Sequence, residues 1–346
     1  MQRDTMMTAT SCLSRRGVLR LAGAAAATIA APGFVSVARG QDLTRLVYQT
    51  GWLPQPDKGG LYQAVATGIY KQYGLDVDVR KGGPQMNVNQ IFLAGKADFA
   101  DSDSFRAINF VKESLPAVAV AAFGQKSLNV LISHPGVGND SLPALKGKPI
   151  LVSAVGRQTY WLWLKAKYGF TDDQMRPSTF SLAPFLADKA LTTEGFVTSE
   201  PLDVRKAGEQ PVVQLLADHG YQNYSNVMLA QPKLVAEKPE LVQRFVDATI
   251  KGWNSYLNGD PSPGNALIKE GNPEMTDEKI AYAISTMKSA KIFESDDAAR
   301  FGLGAMTDAR WKQFYDTMSA SGALPAGLDV RKAYTTQFVN KRIGMA

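Results

Sequence analysis

Asp101-Ser102-Asp103-Ser104 packs two carboxylates and two hydroxyls into one short stretch, directly after the run Ala97-Asp98-Phe99-Ala100. That run reads as a short buried strand, and Phe105 to Val111 as the helix that follows. A strand that hands over to a helix N-terminus lies at the carboxyl edge of an open α/β sheet, where ligands bind. There Asp101 and Asp103 can accept hydrogen bonds from ring or exocyclic N–H groups. Together with Ser102 and Ser104 they can equally cap the helix. A second group precedes it. Trp52 and Asp57 stand in the Gly/Pro-rich loop Gln49 to Gly60, where an exposed indole can stack on a flat ligand for about 0.5–1.5 kcal/mol beyond area burial; the alternative is a Trp that caps the core. A third group, Gly156-Arg157-Gln158-Thr159-Tyr160, sits at another strand-to-helix junction. Helix N-termini offer free N–H groups to anions and carbonyls, and Arg157 adds a bidentate donor. Last, Ser199-Glu200-Pro201 ends a strand, where Glu200 can pair with an amino group across a cleft or simply be solvated.

Catalytic signatures are missing. The chain contains no G-x-S-x-G, P-loop, H-E-x-x-H or dinucleotide glycine fingerprint. His134, ahead of Pro135, and His219, ahead of Gly220, are its two histidines, and both read as turn residues. The single cysteine, Cys12, lies near the N-terminus, ahead of an apolar run. Thiolate catalysis, disulfides and Cys-ligated zinc are therefore excluded from a chain that begins after it. We expect no catalytic residue, no cofactor and no metal ligand.

The elements that must position these residues alternate. Leu43 to Tyr48 reads as a strand, Leu61 to Tyr73 as a helix closed by Gly74, and Leu75 to Val79 as a second strand. Asn87 to Leu93 is a helix stopped by Gly95, and Ala117 to Phe123 is an uninterrupted apolar run typical of a central strand. Strands are also expected at Pro149 to Ala154, Glu194 to Thr198 and Pro211 to Leu216, with a helix over Tyr160 to Tyr168. Such alternation argues an α/β fold. Two β-like runs, Ser127 to Ser133 and Tyr224 to Ala230, carry Asn129 and Asn226 at matching places. They read as an outbound and a returning passage between two lobes, or as two ordinary strands. Beyond Ala230 the pattern is helical, over Pro232 to Asn258, from Thr276 onward, and over Asp308 to Ser321.

The chain has 346 residues, enough for two domains, with 45% hydrophobic and 20% charged residues. Ser14-Arg15-Arg16-Gly17-Val18-Leu19-Arg20 resembles the twin-arginine export motif, followed by a small apolar run to Val37 and a small-x-small site at Ser36-Val37-Ala38. That run is broken by Pro32 and Gly33 and is short for a permanent span of about 20 apolar residues. Cleavage after residue 38 removes four arginines against one aspartate, and the formal charge falls from +6 to +3. So small an excess, with no run of basic residues, gives no reason to expect a nucleic-acid partner.

Four stretches carry a family resemblance: Trp52-Leu53-Pro54 with Gly60-Leu61-Tyr62, Gly68-Ile69-Tyr70 with Tyr73-Gly74-Leu75-Asp76-Val77, Ala94-Gly95-Lys96-Ala97-Asp98-Phe99, and Val197-Thr198-Ser199-Glu200-Pro201. Across about 43–340 the chain resembles the periplasmic substrate-binding proteins of ABC importers in the nitrate, sulfonate, taurine and thiamine-precursor group. The resemblance implies a type II periplasmic-binding fold, two α/β lobes joined by two crossover strands, with a ligand trapped between them. It implies lobe 1 over 43–128 and 229–340, lobe 2 over 129–228, and a signal peptide over 1–38. Family members for pyrimidine precursors place an aromatic on the ring at the loop matching Trp52 and Tyr62. Their His in that loop is replaced here by Asp57 or Lys58. The related pyrimidine-synthesising enzymes need a His and a Cys-rich segment that this chain lacks at matching places.

The expected site is therefore Trp52, Asp57, Tyr62, Asp101, Ser102, Ser104, Arg157, Thr159, Tyr160, Ser199 and Glu200. The expected role is a monomeric, periplasmic solute-binding protein that delivers a flat nitrogen heterocycle, of pyrimidine or flavin type, to an ABC permease in the inner membrane. The alternatives are a receptor for a small anion such as a sulfonate, taurine or nitrate, and an enzyme of the same fold acting on a pyrimidine.

Overall fold

A computed structural model describes residues 43–83 and 86–345; the expected signal peptide lies outside the described residues. Among the described residues, ten strands form two five-stranded sheets. In chain order they are β1 Thr44–Gln49, β2 Leu75–Arg80, β3 Phe99–Ser102, β4 Val118–Gly124, β5 Asn129–Ser133, β6 Ile150–Val152, β7 Met175–Pro177, β8 Thr192–Phe196, β9 Val212–Leu215 and β10 Ser225–Ala230. The first sheet has the order β2-β1-β3-β10-β4 and the second β7-β6-β8-β5-β9. This is the two-lobe α/β architecture the resemblance implies.

Strand direction decides where a ligand can sit. In the first sheet β2, β1 and β3 run parallel, and β10 runs antiparallel to both β3 and β4. In the second, β7, β6 and β8 run parallel, and β5 is antiparallel to β8 and β9. Each sheet thus contains one reversed strand, and that strand arrives from the other lobe. The chain leaves the carboxyl end of β4 at Gly124 and enters β5 at Asn129; it leaves β9 at Leu215 and re-enters at Ser225. Both passages join the carboxyl edges of the parallel strands, so those edges face one gap. By sheet membership all of β10 belongs with the first lobe, ahead of the division expected at 228/229.

The passages are tied down. Ser225 Oγ donates to the carbonyl of Lys126 at 2.8 Å and so links the outbound passage to the returning one. Gln125 N donates to Ile292 O at 2.7 Å, and the Arg310 guanidinium donates to the carbonyl of Gln125. The C-terminal helices therefore brace the hinge from the first lobe. The helix Asp277–Ser289 also reaches the second lobe. There Lys279 pairs with Asp203 at 3.1 Å, and Tyr282 Oη donates to the carbonyl of Val197 at 3.0 Å.

Two long predicted helices are divided. Gly68, at φ +72°, separates Gly59–Ala66 from Ile69–Gln72. Pro239 lacks an N–H and disfavours helical backbone at Lys238, so Pro232–Glu237 and Pro239–Asn258 are separate. The helix Tyr160–Tyr168 spans the expected residues, and Trp161 and Trp163 are buried in the core. His134, read as a turn residue, is instead buried just past β5, stacked on Phe185 with ring centroids 4.1 Å apart, its Nε2 2.9 Å from the Phe185 carbonyl.

The helix Gly59–Ala66 lies tight against Pro239–Asn258 because glycines face it there. A Cβ on Gly60 would stand 2.2 Å from Trp253 Cγ. Gly60→Ala is expected to lower stability by about 1–3 kcal/mol, as overpacking does, measured as a shift in the denaturation midpoint.

Candidate ligand cleft

The Trp52 loop follows β1 at the carboxyl edge of the first lobe. Its backbone is pinned from below: Gly82 N donates to the Trp52 carbonyl at 2.9 Å, and the Thr50 hydroxyl lies 2.8 Å from that same oxygen. A Cβ on Gly82 would meet Gly51 C at 2.5 Å, so only glycine lets the two loops approach this closely. Trp52 is half-buried. Its aromatic neighbour is Phe180 of the second lobe, with centroids 5.5 Å apart and planes at 54°.

Beside this loop lies a buried ionic cluster. Lys58 Nζ stands 2.9 Å from Asp101 Oδ1 and 3.5 Å from Asp57 Oδ2. It also donates to Asn226 Oδ1, while Asn226 Nδ2 donates to the Asp57 carbonyl at 2.7 Å. Asn226, at φ +49° in β10, thereby connects the Asp57–Lys58 turn to the returning passage. Burial alone would lower the Lys58 pKa, but the carboxylates of Asp101 and Asp57 outweigh it and leave it raised. Burial raises the Asp57 pKa against the opposing pull of Lys58. One ammonium facing two carboxylates leaves this edge acidic. Tyr62 is buried here too. Its hydroxyl lies beside Thr50 without a partner in hydrogen-bonding geometry, and its pKa is pushed up by burial and by the Asp57 charge.

The second lobe answers with a different edge. After β6, Ser153 caps the short helix Ala154–Gln158 by accepting from Gly156 N at 3.1 Å. Glu194, from β8, occupies that helix start. Its Oε1 accepts from Ser153 N at 2.6 Å, and its Oε2 accepts from the Tyr160 hydroxyl. Burial raises the Glu194 pKa, opposed by those same hydrogen bonds. At this helix start the Ser153 N–H is thus taken by the chain's own carboxyl group, and the Gly156 N–H by the Ser153 hydroxyl. Glu200 is similarly engaged, accepting from Phe196 N at 2.6 Å, with its pKa raised by burial.

Of the expected residues, Trp52, Asp57, Tyr62 and Asp101 come together at one edge. Ser102 ends β3 there, buried, with Oγ turned to the Asp103 carbonyl at 3.4 Å. Ser104 is buried in the hinge, where its hydroxyl bonds Asn223 Oδ1 at 2.5 Å and accepts from Tyr224 N at 3.1 Å. It ties a helix start to the returning passage, so its bonding capacity is spent on the fold. Asp103 is that helix's N-cap, accepting from Arg106 N at 2.9 Å. Thr159 donates back to Val155 O at 2.9 Å and Tyr160 points inward to Glu194. Arg157 is exposed, and its charge helps lower the pKa of Asp172, for which the hydrogen bonds from Lys165 and Trp161 are the larger causes. Ser199 is half-buried before the helix Glu200–Lys206.

Sequence reasoning missed Lys58, Asn226 and Glu194 as organisers of the two edges. It also missed an apolar rim: Met86 after β2, Val155 after β6, Phe180 after β7 and Phe196 at the end of β8 are all exposed.

Known proteins share this fold. The NMT1/THI5-like family model matches residues 55–262. The riboflavin-binding protein RibY of Chloroflexus aurantiacus is 24% identical over 305 residues, covering 86% of this chain and 86% of that protein. The periplasmic aliphatic sulphonate binding protein SsuA of Escherichia coli has a TM-score of 0.64 at 11% identity, covering 84% of this chain and 91% of its own. The desulfurization enzyme DszB has a TM-score of 0.54 at 14% identity, over 85% and 97%. These last two are likenesses of fold, and they show one scaffold serving both a binding protein and an enzyme. With the family match extending over more than half of its length, the chain belongs to the NMT1/THI5-like family and carries the two-lobe fold of the substrate-binding proteins of ABC importers.

Proposed function

We propose that the protein is an exported, monomeric solute-binding component of an ABC importer, and that it captures a flat nitrogen heterocycle of pyrimidine or flavin type between its lobes. The observation that carries this reading is the pairing at the first lobe's edge of an indole, Trp52, with an acidic cluster, Asp57, Lys58 and Asp101. Ring faces find an apolar wall there, and ring N–H groups find carboxylate acceptors. Pockets for such ligands are mainly apolar with a few convergent polar groups. RibY, a relative over most of its length, is named for a flavin, which supports the same ligand class. Binding would shift the lobes toward closure, and the permease would read the closed form. The N-terminal leader supports export to the periplasm.

The fold likeness to a sulphonate-binding protein favours the anion reading, while two features oppose it. Lys58 is already matched by two carboxylates, and a carboxyl group, Glu194, already stands at the helix start and takes the Ser153 N–H. Calorimetry with riboflavin, a hydroxymethylpyrimidine, taurine and nitrate separates the two. Heat of binding is expected from a heterocycle and none from the anions. Tight binding of taurine or nitrate, with silence from both heterocycles, would reverse the reading. Turnover of a bound heterocycle, followed by mass spectrometry, would establish the enzyme in its place.

A further inference from the structure

Phe180 sits where folding alone gives no reason for an aromatic. It is 63% exposed, and its φ of +62° lies in the left-handed region that bulky residues avoid. Its loop needs no ring to hold its shape. Phe180 N donates to Ser178 Oγ at 3.2 Å, and Ser178 N donates to Val152 O at 3.1 Å, fastening the loop to the end of β6. The ring instead projects across the gap to Trp52, at 5.5 Å between centroids. An unfavourable backbone held in place at a ligand edge points to a functional demand.

We infer that Phe180 is the second wall of the binding slot, and that the ligand is a planar heteroaromatic ring laid between Trp52 and Phe180, one wall from each lobe. This rests on the heterocycle reading and deepens it. Stacked carbons sit about 3.5 Å apart, so a ring between two walls needs about 7 Å between them. The walls now touch each other, 5.5 Å apart and 54° from parallel. With a ring between them, closure of the lobes stops about 1.5 Å short of this arrangement, with the walls turned toward parallel. Lobe closure and stacking are then a single movement: the face of the guest that Trp52 leaves uncovered is covered only when the second lobe arrives. Such a slot selects for flatness, because a puckered saturated ring cannot satisfy both walls. Val155 and Phe196, after β6 and at the end of β8, are also exposed at the carboxyl ends of second-lobe strands.

The test titrates riboflavin and a hydroxymethylpyrimidine into wild type, Phe180→Ala, Phe180→Trp, Trp52→Ala and the double variant Trp52→Ala/Phe180→Ala. For the heterocycle that wild type binds, Phe180→Ala is expected to weaken affinity about tenfold or more, as loss of a central aromatic anchor does. Phe180→Trp is expected to restore it, and the double variant to lose less than the product of the single losses. The melting temperature of Phe180→Ala is expected to stay near wild type, because the ring is exposed. Unchanged affinity in Phe180→Ala, beside a large loss in Trp52→Ala, would remove Phe180 from the slot and leave the heterocycle reading intact. Failure of wild type to bind either heterocycle would overturn both.

Discussion

Lys58→Met is expected to destabilise the protein by about 3–5 kcal/mol, the cost of leaving buried charges without their partner. The substitution keeps the length of the stem and removes only the ammonium. Asp57 and Asp101 then face each other with no cation between them, and Asn226 Oδ1 loses its donor. The loss should depend on pH in a way that identifies its cause. In the wild type the folded pKa of Lys58 is raised. Its stabilising contribution is therefore fully present below the unfolded value of about 10.4 and is lost as pH rises through the folded value. In Lys58→Met the opposing pull of the ammonium on Asp57 is gone, so burial holds its folded pKa further above the unfolded value of about 3.9. The folded state then binds more protons, so stability returns as pH falls from neutrality through that folded value. Denaturant melts of both proteins along a pH series measure this. A midpoint equal to wild type at neutral pH would mean that the cluster is not a coupled ionic unit.

Trp52→Ala is the second large effect, and it should fall on binding. Truncation of a central aromatic anchor costs about 2 kcal/mol or more, roughly thirtyfold in affinity. Trp52 is half-buried and its loop is held by backbone and Thr50 contacts that do not involve the indole, so the fold should remain. Trp52→Phe should recover part of the affinity because a ring face returns. Calorimetry beside a thermal melt distinguishes the two effects. A large drop in melting temperature with unchanged affinity would make Trp52 a packing residue.

How much of this was legible in the sequence depended on the scale of the signal. Periodicity and punctuation located most strands, because apolar runs such as Val118–Gly124 and stops such as Gly74 are local properties. The edge strand β7, Met175–Pro177, escaped because three residues ending in proline show no alternation. The placement of Trp52, Asp57 and Asp101 at one sheet edge was legible because a strand that ends in Gly, Pro or Asp hands its next residues to the carboxyl edge. Their cation was not, since Lys58 becomes buried only when β3 and β10 bring Asp101 and Asn226 to it across the sheet. For the same reason Gly156 to Tyr160 looked open to an anion: Glu194 is distant in sequence, yet its carboxyl group takes the Ser153 N–H and the Tyr160 hydroxyl there. Ser104 resembled a ligand group but serves the hinge, through a partner, Asn223, far along the chain. Phe180 gave only a lone aromatic in a Ser-rich loop, and its meaning comes from the opposite lobe.

The most direct measurement is a crystal structure of the protein with the heterocycle that binds it. The ring is expected between the two carboxyl edges, its centroid about 4.5–7 Å from that of Trp52, with an N–H group directed at Asp57 or Asp101. A guest seated elsewhere, such as the surface hollow lined by Asp308, Lys312 and Tyr334, with Trp52 untouched, would contradict it.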